Sequence, residues 1–505
     1  MKALIFANDK QRKESIKQLC YDKFGNDVHV SDYNFQNINN AILIIDNNDV
    51  YDFAGIEFDQ KNNIYLFENN NLYPILQEKE LLSLREQYTK EKNWKLVKLI
   101  NQVIINTDFL LKRSIQNGLP DSFQIETTNK CNAECIMCFH FYKKNNNASH
   151  LSNKVVNKLK DILPYTDRIL LHGMGEPFLN PKIVFQINEY VKYGIRMTTN
   201  TNLSVINEEL LFLIDNHFDW IEISCDGATK KTYELIRKNL SFENFIINLQ
   251  LLKEKCPKVR KHFATVIMRQ NIFELPEMVK LAHKFGINMV AFMSLSTNPV
   301  IDNINDCMLN YPNVLYHYIN MAKYEGEKCG VEVVSPFYDI RFTKNVFEKE
   351  LEIMNKMSEQ KTDEEIQKII LIGKKLEQYS FDFSFSDSDV VASEVKCFGI
   401  CDWVLKGAFI DLHGEVAICC INQNIKLGKL VGNGSFKDIW NNSSYRKIRE
   451  IFYSGFLPDC CLGCSIIERG LVKYLRLEIT SKFYQESEIT KNRKKKLNEI
   501  LNENL

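Results

Sequence analysis

Three absences narrow the reading of this chain before any motif is considered. No stretch approaches the roughly 18 apolar residues that a bilayer-spanning helix needs. The opening "MKALIFANDKQRK" has too short an apolar run for a secretory signal, and its charges follow the run. A cytoplasmic protein with no membrane partner is therefore expected. Net charge is missing too: Lys plus Arg and Asp plus Glu both total 64 among 505 residues. A general nucleic-acid binder needs a basic field, so no nucleic-acid partner is expected. Nor does a glycine-rich phosphate loop follow the first strand-like run, whose turn reads "ANDK".

What the chain does have is cysteine, 15 residues unevenly placed, with three in 131–138 and seven in 397–464. In a reducing compartment such crowding favours metal chemistry over a disulfide framework. The length exceeds one ordinary core, so several domains are expected. Residues 1–85 read as a small α/β unit, with "KALIFA" and "AILIID" as strands around an amphipathic helix closed by glycine. Residues 86–119 read as a charged helical linker. Over 120–300 the short apolar runs "SFQIETT", "RILLHG", "IRMTTN", "WIEISCD", "FATVIM" and "INMVAFMSL" alternate with helical segments. Such repetition predicts a parallel sheet, closed or partly closed, with ligands at the carboxyl ends of the strands. Residues 301–394 read as a charged helical connecting or lid segment, 395–470 as the second cysteine region, and 471–505 as a charged helix or tail.

"IETTNKCNAECIMC" sets Cys131, Cys135 and Cys138 at CxxxCxxC spacing directly after the first barrel strand. A closed metal site takes four ligands, so three suggest a metal with one open position. A zinc site completed from elsewhere, or three unrelated buried thiols, would give the same spacing. "LHGMGEPFLNP", at the end of the second strand, adds Gly173 and Gly175, whose missing Cβ atoms let backbone approach a ligand closely. Glu176 adds a carboxylate suited to an ammonium group.

Together with "TTNTN" at 198–202 and "ISCDGATKKTYELIR" at 223–237, these residues resemble the radical S-adenosylmethionine (SAM) superfamily. The subgroup is the one with a C-terminal SPASM or twitch auxiliary-cluster domain, and the resemblance runs over roughly 120–470. The fold it implies is α/β: a partial (β/α)6 barrel core, with the small N-terminal α/β domain before it and the SPASM/twitch domain after. It implies that Cys131, Cys135 and Cys138 hold a [4Fe–4S] cluster whose fourth iron is left to the amino and carboxylate groups of SAM. The missing ligand is then the cosubstrate. Reduction cleaves SAM to methionine and a 5′-deoxyadenosyl radical, which removes a substrate hydrogen. By position, Glu176 and the backbone of 173–175 are expected at the methionyl ammonium. Asn200 and Ser224 are expected at the ribose hydroxyls or the carboxylate, and Arg237 at the carboxylate. Taken alone, Asn200 also suits a helix cap and Arg237 a surface ion pair. Where the family often has an aromatic residue before the third cysteine, this chain has Met137, which packs against adenine less distinctively. His140 and His172 flank the site and read as packing or hydrogen-bonding histidines sooner than proton shuttles. No catalytic acid or base can be named.

In the second region "FIDLHGEVAICC" reads as a hairpin turning at Gly414, and "CCLGC" supplies a CxxC unit. Cys401, Cys419, Cys461 and Cys464 make a set of four, which the resemblance assigns to one auxiliary [4Fe–4S] cluster. Two clusters, or a structural zinc, are the alternatives. Neighbours on a strand face opposite ways, so one member of each doublet is expected to ligate, leaving Cys397, Cys420 and Cys460 over. Four protein ligands leave no iron for substrate, so electron transfer is the expected task, favouring net oxidation or cross-linking.

The cysteine spacing is similar to that of a dehydrogenase acting on an aminoglycoside precursor, so oxidation of a small alcohol or sugar is the first expectation. A maturase modifying or cross-linking a ribosomally made peptide is the alternative, with a non-catalytic iron–sulfur carrier and an RNA-modifying enzyme behind it. Peptide maturases often carry a winged-helix-like module at the N-terminus. The apolar run "NAILIID" argues against one here, and the alternation in "NNIYLFENNNLYPIL" keeps it open. The resemblance also implies oxygen sensitivity and a flavodoxin- or ferredoxin-type reductant.

Overall fold

The computed structural model describes residues 78–138, 149–296, 303–336, 343–357, 390–423, 425–430 and 435–464. It also describes the strands and helix named below within 1–74, and positions 140, 362, 364, 367, 467, 475–477 and 495. The tail expected to be helical over 471–505 thus lies almost wholly outside the described residues.

The first sheet has five strands: β1 (Lys2–Phe6), β2 (His29–Asp32), β3 (Ile42–Asp46), β4 (Asn63–Glu68) and β5 (Asn71–Pro74). Their order is β2-β1-β3-β4-β5, parallel throughout except for β5 at the edge. The helix Lys10–Phe24 makes the crossover that parallel pairing of β1 and β2 requires, and buries Ile16 and Cys20 one turn apart. A winged-helix-like module, which the alternation over 62–76 kept open, has a three-stranded sheet, and this sheet has five strands, four of them parallel.

Helices Glu78–Lys90 and Trp94–Leu110 follow. The second is no solvated linker. Its apolar residues Val97, Ile100, Val103 and Ile104 recur at helical spacing and lie in the main core. Its buried polar groups tie down the chain that enters the barrel. Asp108 Oδ2 accepts the backbone N–H groups of Asn117 at 2.9 Å and Gly118 at 2.7 Å. Asn101 accepts from the N–H of Leu119 at 3.0 Å and donates to its carbonyl at 2.7 Å.

In chain order the next strands are β6 (Ser122–Ile125), β7 (Glu134–Cys135), β8 (Arg168–Leu171), β9 (Arg196–Thr201), β10 (Phe218–Ser224) and β11 (Arg237–Lys238). After them come β12 (Arg260–Ile267), β13 (Met289–Ser294) and β14 (Glu332–Val334). The second cysteine region supplies β15 (Ala392–Gly399), β16 (Gly407–Ile410), β17 (Glu415–Ala417), β18 (Lys426–Lys429), β19 (Phe456–Pro458) and β20 (Leu475–Leu477).

Ten of these form one sheet, in the order β14-β13-β12-β10-β9-β8-β6-β16-β17-β18. The six strands expected over 120–300 are β6, β8, β9, β10, β12 and β13, each parallel to its neighbours. Two additions go beyond that expectation. At one end β14 pairs parallel with β13, and the helix Pro312–Cys329 between them buries Val314, Leu315 and Ile319. Part of 301–394 therefore belongs to the barrel wall rather than to a lid. At the other end β16 pairs parallel with β6, Gly407 opposite Ser122 and Ile410 opposite Ile125. The expected hairpin is β16–β17, with Phe409 opposite Ala417.

Strand alternation gives the sheet two faces. Ile169, Met197, Ile221, Ile223, Phe263 and Phe292 are fully buried on the helix-covered face. Asn200, Glu222 and Ser224 stand on the other face, which is only partly covered. Among the described residues no helix is long and apolar enough to cross a membrane.

Candidate functional site

The loop leaving β6 carries the first three cysteines at the carboxyl end of the sheet. Thr128 shapes its start, donating from Oγ1 to the Ser149 carbonyl at 2.9 Å and accepting the Lys130 N–H at 3.0 Å. Cys135 is buried, while Cys131 and Cys138 are half-buried. The antiparallel pair β7–β11 sets Cys135 directly opposite Arg237, and the Cys138 N–H donates to the Cys135 carbonyl at 3.0 Å. Burial pushes the Cys135 thiol up to about 12, the Arg237 charge drawing it back, and burial raises Cys131 as well. Iron binding deprotonates a thiol outright, so such groups become thiolates with the metal.

Arg237 is not at the surface, and its ion-pair partner is a buried carboxylate of the chain itself. It is buried, with Nη2 2.6 Å from Asp226 Oδ2 and Nη1 donating to Cys135 Sγ across 3.7 Å. Asp226, the partner that sequence reasoning missed, sits inside the motif at 223–237. Nothing in spacing alone marks it as the arginine's partner.

The glycines of "GMGEP" serve a neighbour different from the one expected. A Cβ at Gly175 would stand 2.5 Å from the carbonyl oxygens of both Thr128 and Lys130. One at Gly173 would stand 2.3 Å from Glu126 Cγ. The loop is thus pressed against the cysteine loop itself. The Gly175 N–H donates to the Thr128 carbonyl at 3.1 Å and the Glu176 N–H to the Lys130 carbonyl at 2.9 Å. Buried Glu126, also missed, accepts the Met174 N–H at 2.9 Å, and burial raises its carboxyl pKa.

Glu176 is only 3% exposed and already bonded. Thr201 Oγ1 donates to its Oε1 at 2.6 Å, and the Asn202 N–H to its Oε2 at 2.7 Å. It therefore fastens the glycine loop to the end of β9. Burial pushes its carboxyl up to about 6. Two carboxylate oxygens offer about four acceptor sites, so an ammonium group still fits beside these bonds.

Asn200 does not cap a helix: Asn207 caps Glu208–His217, accepting the Leu210 N–H at 2.9 Å. Asn200 Nδ2 instead donates to Glu222 Oε2 at 2.7 Å, across β9 and β10. Ser224 ends β10 on the same face, beside Ala264. Met137 is half-buried and packs against the small cluster of Ile236, Met268, Leu295 and Cys307. Burial lowers the His172 ring to about 4, which favours its neutral form. His140 is half-buried.

The second thiol group gathers around the end of the β16–β17 hairpin. Burial holds the Cys401 thiol well above its ordinary value, and the charges of Cys419 and Cys464 push it further. Burial pushes Cys419 up to about 12, with Cys420 and Cys464 adding. Cys461 is raised by its hydrogen bond with Cys460 and by burial, with Cys401 and Cys419 adding. Cys401, Cys419, Cys420, Cys460, Cys461 and Cys464 are thus linked in one electrostatic neighbourhood. Cys397 is raised by burial alone.

Strand alternation does not sort the doublets. Cys419 and Cys420 lie beyond the end of β17, and Cys460 and Cys461 lie in the 3-10 turn Asp459–Cys461, their sulfurs 3.9 Å apart. Asn422 spans the two: its N–H donates to Cys419 Sγ at 3.3 Å and its Nδ2 to the Cys460 carbonyl at 2.8 Å, while its own carbonyl accepts the Ile425 N–H at 3.0 Å. Among the described residues no three His, Cys, Asp or Glu side chains are gathered tightly enough to hold one bare ion. The donors in both groups are soft thiols, the type that suits iron–sulfur clusters.

A family model described as the radical SAM superfamily matches residues 125–282, and one described as an iron–sulfur cluster-binding (SPASM) domain matches 401–465. The mycofactocin maturase MftC of Mycobacterium tuberculosis is 28% identical over 347 residues, covering 66% of this chain and 74% of that protein. An uncharacterized protein of Methanocaldococcus jannaschii is 29% identical over 178 residues, 33% of this chain, and the match spans 60% of that relative. Among solved structures, Streptococcus suis SuiB bound to precursor peptide SuiA aligns over 69% of this chain and 70% of its own, at 15% identity and a TM-score of 0.45. The chain thus carries a radical SAM domain over 125–282 with a SPASM domain behind it over 401–465.

Proposed function

We propose that this radical SAM enzyme oxidatively modifies or cross-links a peptide substrate. The observation that carries the reading is its similarity to the mycofactocin maturase MftC over 66% of this chain and 74% of that protein. That supports the peptide above the small alcohol or sugar that the cysteine spacing favoured.

The enzyme works with a [4Fe–4S] cluster, SAM and auxiliary iron–sulfur. Cys131, Cys135 and Cys138 would hold the first cluster, which would supply the electron for reductive cleavage of SAM. Around it Glu176 and the backbone of 173–175 receive the methionyl ammonium, and Asn200 and Ser224 face the ribose or carboxylate. Cys401, Cys419, Cys461 and Cys464 hold the auxiliary cluster and give it no open position for substrate. The pairing of β16 with β6 supports this reading: it ties the strands that carry the two thiol groups into one sheet, and a fixed separation is what electron transfer between them needs. A flavodoxin- or ferredoxin-type protein is the proposed reductant.

The test is anaerobic reconstitution followed by SAM, dithionite and a short peptide encoded beside the gene. Formation of 5′-deoxyadenosine with a matching mass change in the peptide is the expected result. Consumption of a small alcohol or amino sugar, with the peptide untouched, would favour the dehydrogenase. No deoxyadenosine from fully loaded protein would refute both.

A further inference from the structure

We propose that Arg237 is a positioning residue for the SAM-side cluster, its Nη1–H bonding the sulfur of Cys135 and raising that cluster's reduction potential. The proposal rests on Cys135 being a cluster ligand, and it replaces the carboxylate role that resemblance gave to Arg237.

The contact is built from several sides. Arg237 lies opposite Cys135 in the β7–β11 pair, and the Ile136 N–H donates to the Ile236 carbonyl at 3.0 Å, locking the two segments in register. The guanidinium is 8% exposed and lies between Cys135 Sγ, 3.7 Å from Nη1, and Asp226 Oδ2, 2.6 Å from Nη2. Asp226 is fully buried and fixed in turn, its Oδ1 accepting the Val266 N–H at 2.8 Å and its carbonyl the Asn271 amide at 3.1 Å. A bidentate grip on a carboxylate needs two donors of the fork on one side. Nη1 is turned to the Cys135 sulfur and Nη2 to the Asp226 carboxylate, while Nε is buried without a hydrogen-bond partner. A donor to a ligand sulfur, and a positive charge in a poorly solvated setting, both favour the more negative reduced cluster. Asp226 aims the guanidinium and partly offsets its charge.

Full-length wild type, Arg237→Gln, Arg237→Lys and Asp226→Asn would be reconstituted anaerobically and their iron counted. The potential of the cluster whose EPR signal changes on adding SAM would be titrated, and SAM binding measured by equilibrium dialysis. Arg237→Gln should keep its iron and its SAM affinity while the potential moves negative. Arg237→Lys should fall between it and wild type. Asp226→Asn, which removes the opposing charge, should move the potential the other way, a sign reversal that no merely structural role produces. Weakening of SAM binding by about tenfold or more in both arginine variants, the cost of a lost charged hydrogen bond, at an unchanged potential would restore the carboxylate role and overturn the proposal. Loss of iron from both would overturn it too, leaving Arg237 a part of the fold only. If Cys135→Ala kept full iron and SAM cleavage, the ligand assignment beneath the proposal would be what failed.

Discussion

Replacing Gly175 by alanine tests whether the glycine loop and the cysteine loop are one packed unit. The new Cβ would stand 2.5 Å from two backbone oxygens, those of Thr128 and Lys130, and 2.9 Å from the carbonyl carbon of Asn129. Carbon and oxygen rest no closer than about 3.3 Å. Backbone has no rotamer with which to yield, so the two loops must separate. Separation works against the Gly175 and Glu176 N–H bonds that join them, at 3.1 and 2.9 Å. Overpacking and two weakened backbone bonds together cost about 2–4 kcal/mol. Because Cys131 follows Lys130 directly, the first cluster's iron should be lost as well. Gly194→Ala is the control. It has a left-handed φ of +60° but nothing within 4 Å, so its cost is about 1–2 kcal/mol of backbone strain and its iron should be full. Urea midpoints under anaerobic conditions, with iron counted on the same samples, decide between them. A Gly175→Ala protein with wild-type midpoint and full iron would show that the two loops do not touch as described.

Burial raises the Glu176 carboxyl from 4.5 to about 6, so folding favours its protonated form. Its contribution to stability is present below about pH 4.5 and lost as pH rises through 6, about 2 kcal/mol in all. Urea midpoints across that range should show wild type losing this amount relative to Glu176→Gln, and parallel curves would contradict it. Cys464→Ala should lose the auxiliary cluster, about four irons, whereas Cys397→Ala should keep all its iron at a cavity cost on the order of 1 kcal/mol. Iron loss from Cys397→Ala would mean the ligand set is wrong. Asn200→Ala leaves Glu222 Oε2 without its 2.7 Å donor and should destabilise by about 1–3 kcal/mol, read from thermal melts. An unchanged melt would place Glu222 in water.

What the sequence made legible was periodicity and chemistry. The six parallel strands over 120–300 follow from apolar runs alternating with helices, and the thiol groups follow from their spacing. Partners were not legible, because a side chain's neighbour is chosen by tertiary packing. Arg237 looked like a cation for a carboxylate until its fork was seen closed between Asp226 and Cys135. The helix Trp94–Leu110 looked like a linker because the charged stretch before it dominates the composition, yet its apolar spacing already pointed inward. β14 was hidden because three residues are too short to show alternation amid helical text. The largest omission was the pairing of β16 with β6, whose partners lie far apart in the chain. No local period can encode such a pair. Four buried residues, "GAFI", carry no mark of which strand they will join. That pairing nonetheless matters most for function. It places the hairpin of the auxiliary thiols on the same sheet as the loop of the first three, so one set cannot shift without disturbing the strand from which the other departs.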